Sequence, residues 1–115
     1  TRRLRQNGRV PEHVRPDLPP AVGDAVSAFG YGVRVAIIGY IHEHGPATRG
    51  QLATALGLVP KTVQFHLTGL TALGVVIPDP PPEQARRGQR TRYEIDAGRV
   101  LELYAELGKH LGIGG

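Results

Sequence analysis

Apolar residues recur along this chain at helical spacing in four places, and each place ends at a glycine. In KTVQFHLTGLTALGVV, residues 61 to 76, Val63, Leu67, Leu70 and Leu73 recur at intervals of four, three and three. That spacing puts them in one stripe along a helix. Lys61, Phe65, Thr68 and Ala72 lie opposite the stripe, with Gln64 on its flank. Pro60 suits a first helical turn, where its missing N–H costs nothing. The pattern predicts a helix over about 60–73, ended by Gly74.

The same reasoning places the other elements. Val22 to Phe29 is a short apolar segment that predicts a helix broken by Gly30 and Gly32. From Val33 to His44 the pattern is helical, with Val33, Ala36, Ile37, Tyr40 and Ile41 on one face and Val35 and Ile38 opposite. A helix apolar on two sides needs two partners, and the second is expected to be the terminal helix or another subunit. Thr48 followed three residues later by Gln51 has capping-box form, in which each side chain satisfies a free backbone donor of the other residue. With Leu52, Ala55 and Leu56 on one side and Gly57 at the left-handed cap position, a helix over 48–56 is expected. VVIP (75–78) is β-prone, DPPPEQARRGQR is a turn-rich basic insert, and TRYEI (91–95) alternates as an edge strand would. Asp96 then caps a last helix with Val100, Leu103, Tyr104, Leu107 and Leu111 on one face.

Helix, short helix, tight turn, helix, two-stranded hairpin, helix is the order of a winged helix-turn-helix, a mainly α fold with a small β-hairpin. Ala53 is small where the two motif helices touch, Gly57 makes the turn, and Val63 locks the second helix onto the first. TVQFHLTGLTALGVV resembles the TVSxHLxxLxxaGlV segment of ArsR-like winged helix-turn-helix transcriptional regulators, and GQRTRYEI resembles the GRxxxYxL that ends their wing. The likeness covers about residues 32 to 111. It implies a DNA-binding regulator, usually a homodimer, whose third core helix enters the major groove while the wing touches backbone or minor groove. Two departures stand out: Val59 replaces the usual polar cap ahead of that helix, and Gln64 the usual Ser. The wing insert is also long and Pro-rich.

Charge adds to this picture. The 115 residues carry a formal net charge of +4, and two of the 14 basic residues are Lys. Arginine is the better donor for paired contacts to phosphate or guanine. The charge is also placed in blocks: Arg2, Arg3, Arg5, Arg9 and Arg15 precede residue 17, and Arg86, Arg87, Arg90 and Arg92 fall within the insert and the strand after it. Residues 1–20, with four prolines and no apolar period, are expected to be a basic flexible arm ahead of a DNA-binding domain at 21–115 whose terminal helices dimerise. Such an arm either lies in a minor groove or is a tail without specific contacts.

The candidate DNA-contacting residues are Thr48, Arg49, Lys61, Thr62, Gln64, Phe65, His66, Thr68, Arg86, Arg87, Arg90 and Arg92. Gln pairs bidentately with adenine, Lys reaches guanine or phosphate, and Phe or a Thr methyl touches the thymine methyl. Burial against a neighbouring segment is the rival reading for Phe65. His66 sits beside the apolar stripe; the resemblance suggests a role near the DNA backbone, and a packed histidine explains it equally well. The insert arginines would neutralise phosphates and so give affinity without base discrimination, or else form a solubilising loop. Thr48 and Arg49 would offer a helix start to a phosphate, though capping alone would explain Thr48.

Other chemistry finds little footing. With no Cys there is no disulfide, thiolate metal site or thiol nucleophile, and no cofactor or metal is expected. The resemblance also implies that His and Asp on the last helix could sense a metal, but Asp96 and His110 are 14 positions apart, or about 21 Å along one helix. There is no Walker loop, no His-Glu-x-x-His and no close carboxylate pair in an expected cleft, so an enzyme is not expected. The longest apolar run, around Val35 to Ile41, is far short of a membrane span, and a cytoplasmic protein without membrane partners is expected. Together these features predict a sequence-specific double-stranded DNA-binding transcriptional regulator, a repressor acting as a homodimer, with a recognition helix at about 60–73 and a basic wing at about 79–92. Two alternatives stand beside it: a DNA-binding accessory protein of a plasmid, phage or integrative element, or a winged helix used for protein contacts.

Overall fold

A computed structural model describes residues 17–113. The arm expected over 1–20 lies outside the described residues except for its last four, and Pro20 already opens the first helix. The elements in chain order are α1 (Pro20–Phe29), α2 (Gly32–His44), β1 (Ala47–Thr48), α3 (Arg49–Leu56), α4 (Pro60–Ala72), β2 (Val76–Asp79), a 3-10 turn (Pro82–Gln84), β3 (Arg92–Ile95) and α5 (Ala97–His110).

Local chemistry sets most of these boundaries. The Thr48 capping box forms, with Gln51 N donating to Thr48 Oγ1 at 3.1 Å and Thr48 N donating to Gln51 Oε1 at 2.9 Å. Gly57 closes α3 at φ 68°, left-handed backbone that glycine adopts without a Cβ penalty. Asp96 Oδ1 accepts from Arg99 N at 3.0 Å and starts α5. The core is one cluster in which Ile37 and Ile41 of α2, Leu52 of α3, and Val63, Leu67 and Leu70 of α4 meet Val75, Val76 and Tyr93. The stripe of α4 is thus buried as its spacing predicts, Leu73 being half-buried at its end.

The sheet differs from expectation. β3 was expected at an edge; instead it is central, in the order β1-β3-β2, with Ala47 opposite Tyr93 and Val76 opposite Ile95 in antiparallel ladders. The cause is β1, two residues too short to show any alternation. It ties the start of α3 to the wing.

Three apolar faces differ as well. Ala36 and Ala55 are exposed, while Arg34 and Ala53 occupy the inward positions. The expected second partner of α2 is not α5, which packs chiefly on α1. On α5, Leu103 is fully buried, but Tyr104 and Leu111 are exposed along with Leu101. One side of α5 therefore meets α1, and the other is covered by nothing among the described residues. Arg99 ties this layer to α4, donating to Leu73 O at 2.8 Å, Glu102 at 2.9 Å and Asp24 of α1 at 3.2 Å.

Candidate nucleic-acid interface

Because the stripe of α4 faces the core, its opposite side faces out. Lys61, Phe65 and Thr68 are exposed, and Phe65 keeps 66% of its surface. No described segment covers that ring; it stands nearly perpendicular to the His66 ring, 5.1 Å between centroids. Thr62 and Gln64 are half-buried on the flanks. Gln64 Nε2 donates to Thr68 Oγ1 at 3.2 Å, and Arg49 Nη1 donates to Gln64 Oε1 at 3.5 Å. These two bonds use one proton and one lone pair of the amide, leaving a donor and an acceptor side by side.

The start of α3 and the wing come up against this face. Thr48, Arg49, Pro60, Gln64, Arg90 and Tyr93 line a groove of about 500 Å³ between them. Thr48 is buried with its side chain in the capping box, and Arg49 is exposed. Arg92 is exposed on β3, in register with Thr48 on one side and Asp79 on the other. Arg86 and Arg87 are exposed farther out in the loop, where Arg86 N donates to Gln89 Oε1 at 3.1 Å. The fold thus gathers Thr48, Arg49, Gln64 and Arg90 around one groove, sets Lys61, Phe65 and Thr68 beside it, and leaves Arg86 and Arg87 at the tip.

His66 stands apart from the rest. It is 9% exposed and turned toward the interior. Its Nδ1 accepts from Arg34 Nε at 3.1 Å, so the packed histidine is bonded to an arginine side chain rather than to backbone. Burial, and secondarily the charge of Arg34, lower its pKa from the ordinary 6.5. Arg34 itself is only 6% exposed. It donates to Ser27 O at 3.1 Å and lies over the Tyr31 ring at 4.6 Å. Its guanidinium rests against Gly69, where a Cβ would come within 2.7 Å of Cζ. Sequence reasoning passed over Arg34; the available signals were an arginine inside the apolar run VRVAII and a glycine in mid-helix without a turn to make.

Among the described residues no group of three or more His, Asp or Glu is placed to hold a metal ion. No single described helix is long and apolar enough to cross a membrane; α1 and α2 pass together by length and composition, but meet at 80° and bury Val22, Ala25, Ala28, Ile37 and Ile41.

A helix pair joined by a tight turn at Gly57 and followed by a hairpin is the architecture of this chain, and solved structures resemble it in fold. The homodimeric winged helix-turn-helix DNA-binding domain Mb0332 of Mycobacterium bovis, a possible ArsR-family regulator, is 25% identical over 80% of this chain and 79% of its own, with a TM-score of 0.58. This chain folds as a winged helix-turn-helix, and the solved structures it resembles include regulators described as ArsR-family and MarR-family. The ArsR-family regulator RHA00566 aligns over 85% of this winged helix and 94% of its own chain, at 18% identity and a TM-score of 0.63. NolR of Sinorhizobium fredii aligns over 87% and 100%, at 20% identity and 0.58. No protein-family model and no curated protein sequence matches the chain.

Proposed function

We propose that this winged helix is a sequence-specific double-stranded DNA-binding transcriptional regulator, a repressor acting as a homodimer. The observation that carries this is the outer face of α4: a polar surface with one exposed aromatic ring, bordered by a groove that Arg49 and the wing's Arg90 both line. Lys61, Thr62, Gln64, Phe65 and Thr68 read base edges in the major groove, the amide of Gln64 offering the donor and acceptor that an adenine edge requires. Arg49, Arg86, Arg87, Arg90 and Arg92 neutralise phosphates, with Thr48 placing the start of α3 at the backbone. His66 supports this face from behind. The M. bovis neighbour, described as a homodimeric DNA-binding domain, favours the same reading.

The second copy sits on α5. Leu101, Tyr104, Leu111 and Ile113 are exposed together there and border a shallow depression of about 540 Å³, an apolar surface of the kind that marks an interface. A two-fold dimer reads a near-palindromic site with half-sites roughly 34 to 36 Å apart.

Selection of bound duplexes from a random pool, followed by affinity measurements against salt, tests this. A recovered inverted repeat is expected, with log affinity falling by about 0.9 per contacted phosphate for each decade of salt. An affinity without salt dependence, or a pool without a consensus, would sink it.

A further inference from the structure

Arg34 is the polar group least explained by what has been described so far. An arginine buried to 6% exposure is normally matched by a carboxylate, because an unmatched buried charge is costly. Among the described residues, the ion pairs are made by Arg99 and Lys109 and none by Arg34. Its partners are neutral: the Ser27 carbonyl at 3.1 Å, the Ser27 hydroxyl at 3.4 Å, the face of Tyr31, and His66 Nδ1 at 3.1 Å.

The last of these fixes a protonation state. A guanidinium N–H only donates, so the nitrogen facing it must be a bare acceptor. His66 is therefore neutral, and its one ring proton is on Nε2. A second proton, on Nδ1, would set an N–H against an N–H and a positive ring against a buried guanidinium. The titratable and charged groups against the ring are Arg34 from α2 and Tyr31 from the α1–α2 turn. Ser27 of α1 reaches it through Arg34, and Phe65 is its neighbour on α4. None of them offers a carboxylate to welcome the extra charge.

The same guanidinium lies on Gly69, one turn along α4. Arg34 thus touches α4 at two successive turns, at the residues that follow Phe65 and Thr68 in sequence. We propose that Arg34 is a positioning residue for the DNA-reading helix, and that it sets α4 correctly only while His66 is in the neutral Nε2–H form. This rests on the DNA-binding reading above, and it adds a requirement that the reading face alone would not impose. DNA affinity must fall on acidification as His66 titrates, opposite in sign to the gain that protonating exposed histidines near phosphate would give. The lowered pKa of His66 puts that loss on the acid side of 6.5.

Two measurements on the whole chain decide it. Long-range proton–nitrogen NMR of the free protein near neutral pH is expected to show His66 with a bare Nδ1 and a protonated Nε2. In Arg34→Met the ring is expected to take its second proton at higher pH, because the guanidinium that opposes it is gone. A charged His66 near neutral pH, an Nδ1–H tautomer, or a His66 titration unchanged in Arg34→Met overturns the proposal without any DNA present. The second measurement is affinity for the duplex recovered from the random pool, at fixed salt, as pH is lowered. The wild type is expected to weaken by up to about tenfold per pH unit for each copy of His66 in the bound dimer once it titrates. His66→Asn, whose Oδ1 keeps an acceptor near the Nδ1 position but takes no proton, is expected to lose the acid weakening relative to its own affinity near neutral pH. Identical pH profiles for the two proteins overturn the proposal. If neither protein binds any duplex at any pH, the DNA-binding reading falls, and the nitrogen shifts still decide what Arg34 does to His66.

Discussion

Two glycines inside helices should respond oppositely to the same substitution. Gly39 lies in α2 with nothing within 4 Å of where a Cβ would stand, so Gly39→Ala meets open space. Replacing glycine by alanine in a helix interior gains about 0.8–1.0 kcal/mol, and Gly39→Ala should realise most of it. Gly69→Ala gains the same propensity, but its methyl would stand 2.7 Å from Arg34 Cζ and 3.0 Å from Nη1. A free arginine would swing aside; this one is held by Ser27, Tyr31 and His66. Displacing it gives up at least the bond to His66, and hydrogen bonds to charged groups are worth about 1.5–3 kcal/mol. The balance is a net loss of about 0.5–2 kcal/mol, after subtracting the propensity gain. At about 4–8 °C per kcal/mol for a domain near this size, Gly39→Ala should raise Tm by several degrees and Gly69→Ala should lower it. Urea unfolding and calorimetry at one protein concentration would check both signs, concentration being held fixed because dimerisation would shift apparent stability. A Gly69→Ala protein as stabilised as Gly39→Ala would show that the guanidinium is not anchored where it lies.

Three other outcomes are expected. Thr48→Ala removes the cap of α3 and should cost about 1 kcal/mol in urea unfolding, with Thr48→Ser retaining most of it. The double substitution Leu101→Glu and Tyr104→Glu, at residues 66% and 68% exposed, should leave a folded monomer by light scattering; an unchanged assembly would place the interface elsewhere. Stability should decline as pH falls below 6.5, because His66 has a lower pKa in the folded chain than in the unfolded one and the unfolded chain binds its proton first. The decline should end once the folded-state value is passed, and His66→Asn should lack that component.

The helices were largely legible because their signals are local. The Thr48–Gln51 box, Pro60 at a first turn and the four-three-three stripe each depend on residues a turn or two apart, and each recurs in the fold. What was not legible depends on distant partners. β1 is two residues long and exists only because Tyr93 and Arg92 pair with it across 44 positions or more of sequence. The apolar residues of α5 were read as one face, yet α1 covers only the side bearing Leu103 and leaves Tyr104 and Leu111 exposed. Of the candidate site, the outward set Lys61, Phe65 and Thr68 follows from the stripe alone. The inward turn of His66 does not, because it depends on Arg34, 32 residues away.

Arg34 and Arg99 also clarify why an apolar stripe is not enough for a helix that must present particular side chains. Burial of Val63, Leu67 and Leu70 decides which side of α4 faces in, but apolar contact is non-directional. A helix held by it alone could roll or slide by a fraction of a turn at little cost. Hydrogen bonds from fixed donors resist that motion because they weaken steeply with distance and angle. Arg34 supplies one such bond at His66, in the middle of α4, and Arg99 supplies another at the Leu73 carbonyl, just past its C-terminal end. A cation at that end also complements the helix dipole. The two arginines come from α2 and α5, the second also bonded to Asp24 of α1. The orientation of the outward face, and with it the placement of Gln64 and Phe65, is thus tied by one directional bond to α2 and by another to α5, the helix that would carry a second subunit.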